Sequence, residues 1–169
     1  KVPLDDATGR VLCVTITADR DYPPFNRATM DGIAINTSDW KKGIRDFIVK
    51  ETLFAGTLYN QTIEAGECYK IMTGAAVPSC ADAVIRKEDL LENKKRFTVN
   101  VSEVHPFQNI AQKGQDIKIA NAVIGKPVLC NAAVINVLAS LGRHEAEMEK
   151  LPALSIITTG DEIVSIHEP

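Results

Sequence analysis

Between residues 47 and 104, apolar residues come in short bursts broken every few positions by turn-forming residues. The bursts are Phe47-Ile48-Val49, Leu53-Phe54, Tyr69-Lys70-Ile71-Met72, Ala83-Val84-Ile85 and Arg96-Phe97-Thr98-Val99-Asn100-Val101. The breaks are Ala55-Gly56, Ala65-Gly66, Val77-Pro78-Ser79 and Glu92-Asn93. No burst sustains a helical period, and several alternate with period two, so this stretch reads as a β-rich unit. Lys94-Lys95-Arg96 reads as a solvated turn within it.

The flanks read differently. Residues 3–9 are compatible with a short helix stopped at Gly9, and the β-branched run from Val11 to Thr17 reads as a strand or the approach to one. Residues 19–24 carry two prolines, which fix φ and remove donors, so an extended loop is expected. Met30 to Ile35 then enters a strand. Near the other end, Asn131 is placed to cap a helix with its side-chain oxygen. Val134, Ile135, Leu138 and Leu141 form one apolar stripe, and Gly142 stands where a left-handed terminator is wanted. Leu154-Ser155-Ile156-Ile157-Thr158 reads as a buried strand running into Thr159-Gly160-Asp161-Glu162. Such a strand needs a following helix and further strands for burial. None follows in these 169 residues, so we expect it to open a truncated α/β domain.

Composition narrows the function classes. Hydrophobic residues make up 45% and charged residues 24%, a globular profile rather than a disordered one. A formal charge of −3 leaves no broad basic field for nonspecific nucleic-acid binding. No apolar run is long enough to span a bilayer, so no membrane role is expected. Cys13, Cys68, Cys80 and Cys130 form no C-x-x-C pair and read as reduced core thiols, which fits a cytoplasmic protein. His105, His144 and His167 show no ligand spacing.

Four turns could carry chemistry: Thr29-Met30-Asp31-Gly32, Met72-Thr73-Gly74-Ala75, Lys113-Gly114-Gln115-Asp116-Ile117 and Thr158-Thr159-Gly160-Asp161-Glu162. Gly32 allows close approach of the backbone or a positive φ, and Asp31 sets a carboxylate beside it. Each turn alone is an ordinary acid- or hydroxyl-bearing turn. Their donors are all oxygen, which suits a hard cation such as Mg²⁺ rather than a soft metal. Carboxylates repel phosphates unless a divalent ion bridges them, so a phosphorylated substrate plus a metal is the matching ligand class.

Taken in order, these blocks resemble the MoeA/gephyrin E-domain family. The carriers are Pro23-Pro24-Phe25-Asn26-Arg27-Ala28-Thr29-Met30-Asp31-Gly32-Ile33-Ala34 and Ile71-Met72-Thr73-Gly74-Ala75-Ala76-Val77-Pro78 with Ala81-Asp82-Ala83-Val84. Asn109-Ile110 with Lys113-Gly114-Gln115-Asp116-Ile117 follows, and then Leu138-Ala139-Ser140-Leu141-Gly142 with Thr159-Gly160-Asp161-Glu162.

The resemblance implies an α+β chain in which a β-rich domain, residues 23–105, is inserted into a small mixed α/β domain, residues 1–22 and 106–150. Residues 151–169 would start a truncated molybdopterin-binding domain. It implies a part in molybdenum cofactor biosynthesis: insertion of molybdenum from molybdate into adenylylated molybdopterin, with release of AMP and a requirement for Mg²⁺ or another divalent cation. The implied catalytic residues are Asp31, Thr73, Asp116 and Glu162. Gly32, Gly74 and Asp161 would contact substrate, and Asp31 and Glu162 would ligate the metal. It also implies a homodimer whose pocket takes Glu162 from the second copy, and no activity for this stretch alone.

Five positions depart from the family pattern: Ile33 replaces an aromatic, Ala76 a proline, Gln115 an acid and Ala111-Gln112 a basic stretch. A scaffold that binds a partner peptide, as gephyrin does, or a paralogue that has lost its chemistry are the alternatives.

Overall fold

The computed structural model describes residues 1–167 apart from Leu58, Asn60, Thr158, Asp161 and Ile163. The chain divides into two compact units, Lys1–Thr15 with Ile124–Pro169, and Ile16–Val123. The inner unit is therefore longer than residues 23–105. Residues 106–123 join it because their backbone bonds to the Pro-rich loop: Tyr22 N–H donates to Ile117 O at 2.8 Å and Thr29 N–H to Asn109 O at 3.0 Å.

The inner unit is built on a six-stranded sheet, as the broken apolar bursts require. Its strands are β1 (Gly32–Ile35), β2 (Asp46–Leu53), β3 (Glu67–Ile71), β4 (Ala83–Arg86), β5 (Leu90–Asn93) and β6 (Arg96–Val99), in the spatial order β4-β1-β3-β2-β6-β5. All neighbours are antiparallel except β2 and β3, which run parallel with a register shift between Val49 and Glu51.

Alternation sends side chains to two buried clusters. Ile33, Ile35, Ala83, Ile85 and Phe97 enter one, and Ala34, Tyr69, Ile71 and Val84 enter the other. The central strands are covered on both sides, so Gly32-Ile33-Ala34-Ile35 is buried throughout.

Two expectations about strands change. Phe47-Ile48-Val49 and Leu53 belong to the single strand β2, which ends before Phe54, because polar residues between them still pair with β3. Glu92-Asn93 is not the turn but the end of β5; Lys94, at φ 57°, turns the chain into β6. A helix that the sequence did not announce, α1 (Thr37–Lys41), links β1 to β2. Its Asn36 cap accepts from Ser38 N–H at 2.9 Å, and the Asp82 carboxylate accepts from both Thr37 N–H and Thr37 Oγ1 at 2.6 Å.

In the outer unit, α2 (Ala132–Ser140) forms as its sequence dictates. Asn131 Oδ1 accepts from Val134 N–H at 3.0 Å, Leu138 and Leu141 are buried, and Gly142 ends the helix at φ 70°. Residues 3–9 give only the 3-10 turn Leu4–Asp6. The run 11–17 is split into Val11–Leu12, paired with Val128–Leu129, and a separate Ile16–Thr17.

The buried strand expected at 154–158 is not observed over residues 154–157, and Thr158 lies outside the described residues. Leu154, Ile156 and Ile157 are 88%, 92% and 83% exposed. An apolar run becomes a buried strand only where other strands pair with it, and no described residue does. No helix among the described residues is long and apolar enough to cross a membrane.

Candidate functional site

The first, second and third sequence blocks meet in the inner unit through backbone hydrogen bonds. Arg27–Ala28 pairs with Ile110–Ala111 on one edge. On the other edge Ala28 N–H donates to Ala75 O at 3.0 Å, Gly74 N–H to Ala28 O at 2.9 Å and Val77 N–H to Asn26 O at 2.9 Å. Residues 26–28, just after the Pro-rich loop, are thus the middle strand of a small lattice. Gly74 stands at φ 86°, a conformation that glycine adopts without penalty.

Asp31 and Thr73 come together because of strand register. Gly32 pairs with Ile71 across the antiparallel β1 and β3, so the residue before β1 faces the residues just after β3. Thr73 donates to Asp31 Oδ1 twice, from its N–H and from Oγ1, each at 2.7 Å. These bonds favour the ionised form, and the Thr73 hydroxyl, then the Thr73 amide, hold the Asp31 carboxyl below its ordinary range. On the opposite side, Lys87 N–H donates to Asp31 O at 3.0 Å. Asp31 is therefore clamped from both neighbouring strands. Its Oδ2 receives no hydrogen bond from the described residues and is open for a ligand.

Gly32 has a reason for being glycine that differs from a positive φ. A Cβ there would lie 1.8 Å from Ile85 O and 2.8 Å from Ile85 C in β4. The close approach is to its own sheet, and it leaves Gly32 at the wall of a cleft. That cleft, of about 240 Å³, is lined by Asp31, Lys70, Met72, Lys87, Leu90 and Phe97, among others. Sequence reasoning singled out neither Lys70 nor Lys87. No motif marks a lysine on a strand, and only the register places these two beside Asp31.

The third block is held near the first without placing its carboxylate on the Asp31–Thr73 pair. Asp116 N–H donates to Tyr22 O at 3.0 Å, Lys113 N–H to Asn26 Oδ1 at 2.9 Å and Gly114 N–H to Pro23 O at 2.9 Å. The Asp116 side chain is exposed and makes no hydrogen bond or ion pair with a described residue. Gln115, which departs from the family's acid, accepts from Gln112 N–H at 2.9 Å and closes the turn itself. Glu162 is exposed in the outer unit, after Gly160 at φ 103°. Asp161 lies outside the described residues.

No group of three or more His, Cys, Asp or Glu side chains among the described residues could hold a metal ion. One open carboxylate oxygen beside a hydroxyl is still a hard-oxygen donor set, and Mg²⁺ is commonly held by one or two carboxylates together with water and substrate phosphates. The residues present fit such an ion only with substrate oxygens completing its shell.

Residues 1–142 match the family described as MoeA N-terminal region (domain I and II). The chain belongs to the MoeA family. The molybdopterin molybdenumtransferase of Staphylococcus epidermidis is 33% identical over 171 residues, covering 99% of this chain and 41% of that protein. That of Synechocystis sp. is 33% identical, covering 98% of this chain and 43% of the relative. The crystal structure of a molybdopterin biosynthesis moeA protein from Pyrococcus horikoshii OT3 superposes with a TM-score of 0.79 at 34% identity, over 86% of this chain and 39% of that one. The chain thus spans about two fifths of the length of these relatives. These likenesses fit a place in molybdenum cofactor biosynthesis and an N-terminal region of mixed, mainly sheet structure.

Proposed function

We propose that this chain is the front part of a molybdopterin molybdenumtransferase, which inserts molybdenum from molybdate into adenylylated molybdopterin and releases AMP. The observation that carries the reading is the Asp31–Thr73 pair, with one carboxylate oxygen bonded twice and the other open beside a cleft. Hydrogen bonds to Oδ1 keep Asp31 ionised and fixed in orientation, so no reorganisation is needed when a cation or substrate arrives. A bound Mg²⁺ would neutralise phosphoryl charge, with Oδ2 of Asp31 as a ligand. Thr73 holds the carboxylate in position.

Asp116 is free to turn towards a ligand. Glu162 would act from a second copy in a homodimer, with residues 151–169 opening the molybdopterin-binding domain. The loss of charge at Gln115 and Ala111-Gln112 favours the second reading, a scaffold or divergent paralogue with the same fold.

The test measures AMP release by the complete protein given adenylylated molybdopterin, molybdate and Mg²⁺. Asp31→Ala should lower turnover by at least ~100-fold. Asp31→Asn, which keeps an acceptor for Thr73 and removes the charge, separates lost chemistry from lost fold. Undiminished turnover in both variants would refute the role of Asp31. No turnover in the unaltered protein would favour the scaffold.

A further inference from the structure

Resting on that reading, we infer that Lys70 and Lys87 form the anion-binding wall of this site and hold the phosphoryl oxygens of the nucleotide part of the substrate beside Asp31. Asp31 creates an electrostatic difficulty. A lone carboxylate repels a phosphate, and a single Mg²⁺ must then offset both the carboxylate and the phosphate. The third block, where the family commonly has a basic stretch, supplies Ala111-Gln112 instead. The missing positive charge comes from another part of the fold.

Lys87 follows β4 directly, and its N–H is fixed to Asp31 O at 3.0 Å, so its side chain starts one residue past the sheet at the rim of the cleft. Its ammonium forms no ion pair within 4.0 Å with a described residue, which leaves all three donors for a ligand.

Lys70 lies on β3 opposite Ile33, on the side of the sheet that carries Phe97. Its ammonium stands 5.5 Å from the Phe97 ring centroid and 3.4 Å from Glu92 Oε1. Both contacts hold the long side chain in one direction, which lowers the entropy lost on binding a ligand. Glu92 is 55% exposed, so this pair is a weak, solvated one that a phosphate can replace.

Met72, Leu90 and Phe97 line the same cleft as the two lysines and give it an apolar floor. Two cations over an apolar, partly aromatic floor suit a phosphate joined to a flat ring. They do not suit a bare metal ion, and a free inorganic anion would leave the floor uncovered. At about 240 Å³ the cleft takes one part of a substrate rather than all of it. The ordinary alternative is that both lysines are solvated charges with no ligand.

The experiment titrates the complete protein with AMP in the presence of Mg²⁺ by calorimetry, at two salt concentrations. Inorganic phosphate serves as the second probe. Lys87→Met and Lys70→Met should each weaken AMP binding by about tenfold, in line with the loss of one charge-assisted phosphate contact on a partly exposed surface. Lys87→Arg should restore most of the affinity. Lys41→Met, on α1 and outside the lining of the cleft, should not change it. Phosphate alone should bind more weakly than AMP, because only the nucleotide covers the floor.

Wild-type affinity in both Met variants, with unchanged thermal melting, overturns the inference. So does an unaltered protein that binds no AMP. Lysine-dependent AMP binding without any turnover of adenylylated molybdopterin would leave this inference standing and sink the proposed reaction.

Discussion

Gly32→Ala tests the sheet geometry that sets the site. The added Cβ would lie 1.8 Å from Ile85 O, 2.8 Å from Ile85 C and 3.1 Å from Arg86 Cα. All three are backbone atoms, so no rotamer change relieves the clash. To reach an ordinary contact of 3.4 Å, β4 must retreat by about 1.6 Å. Paired strands lie about 4.8 Å apart, so a shift of that size breaks the local ladder between Gly32 and Arg86. Two backbone hydrogen bonds lost contribute roughly 1–3 kcal/mol and core overpacking roughly another 1–3. The expected destabilisation is about 2–6 kcal/mol, a large part of the ~5–15 kcal/mol that keeps a typical domain folded.

Urea unfolding followed by fluorescence of the single tryptophan, Trp40, and by far-ultraviolet circular dichroism reads the effect directly. The midpoint should fall with little change in slope. Gly125→Ala is the control, because nothing lies within 4 Å of a Cβ at that position. A Gly32→Ala midpoint equivalent to less than ~0.5 kcal/mol of destabilisation would refute the reasoning.

Two further measurements bear on named groups. Thr73→Val removes one of the two donors to Asp31, so the Asp31 carboxyl should titrate at higher pH than in the parent, read by carbon-detected NMR. Because the folded-state value is depressed, the stability linked to Asp31 is present above the ordinary carboxylate range and lost as pH falls through the folded value; Thr73→Val should bring that loss to higher pH, and an unmoved titration would contradict the assignment. Burial pushes the Cys68 thiol up to about 12, so at pH 8 it should resist iodoacetamide in the folded protein while half-exposed Cys13 and Cys80 react first. Native-state labelling of Cys68 at the rate of Cys80 would show that the core is not closed there.

Much of the sheet was legible because its strands carry their own pattern. Residues 32–35, 83–86 and 96–99 have apolar character or alternation that survives any context. The helix α2 was legible because its cap, stripe and terminator are all local. The missed elements depend on distant partners. Helix α1 is five residues long, too short for a period, and it is held by Asp82 from 45 positions away and by the Arg45 guanidinium 3.4 Å over the Trp40 ring. Strand β5 carries Glu92 and Asn93, poor strand formers, and exists because β6 pairs with it. At residues 154–157 the reverse holds: the apolar pattern is strand-like, but no described residue provides the edge that would realise it. In the site, the blocks carrying Asp31 and Thr73 were visible in the sequence. Lys70 and Lys87 were not, since their place follows from register alone.

The parallel pairing of β2 with β3, inside a sheet that is otherwise antiparallel, means that the chain must travel back the length of the sheet between residues 54 and 66 before β3 can begin. Asp31 and Thr73 lie 42 positions apart, on either side of that return. No described residue of the return bonds to the Asp31–Thr73 carboxylate contact, so the pair does not depend on the covalent continuity of the segment. If the chain were cut there, neither piece would hold the contact. It would reappear only when the pieces reassociate in the correct register, so the Asp31–Thr73 bond could serve as a built-in reporter for fragment complementation.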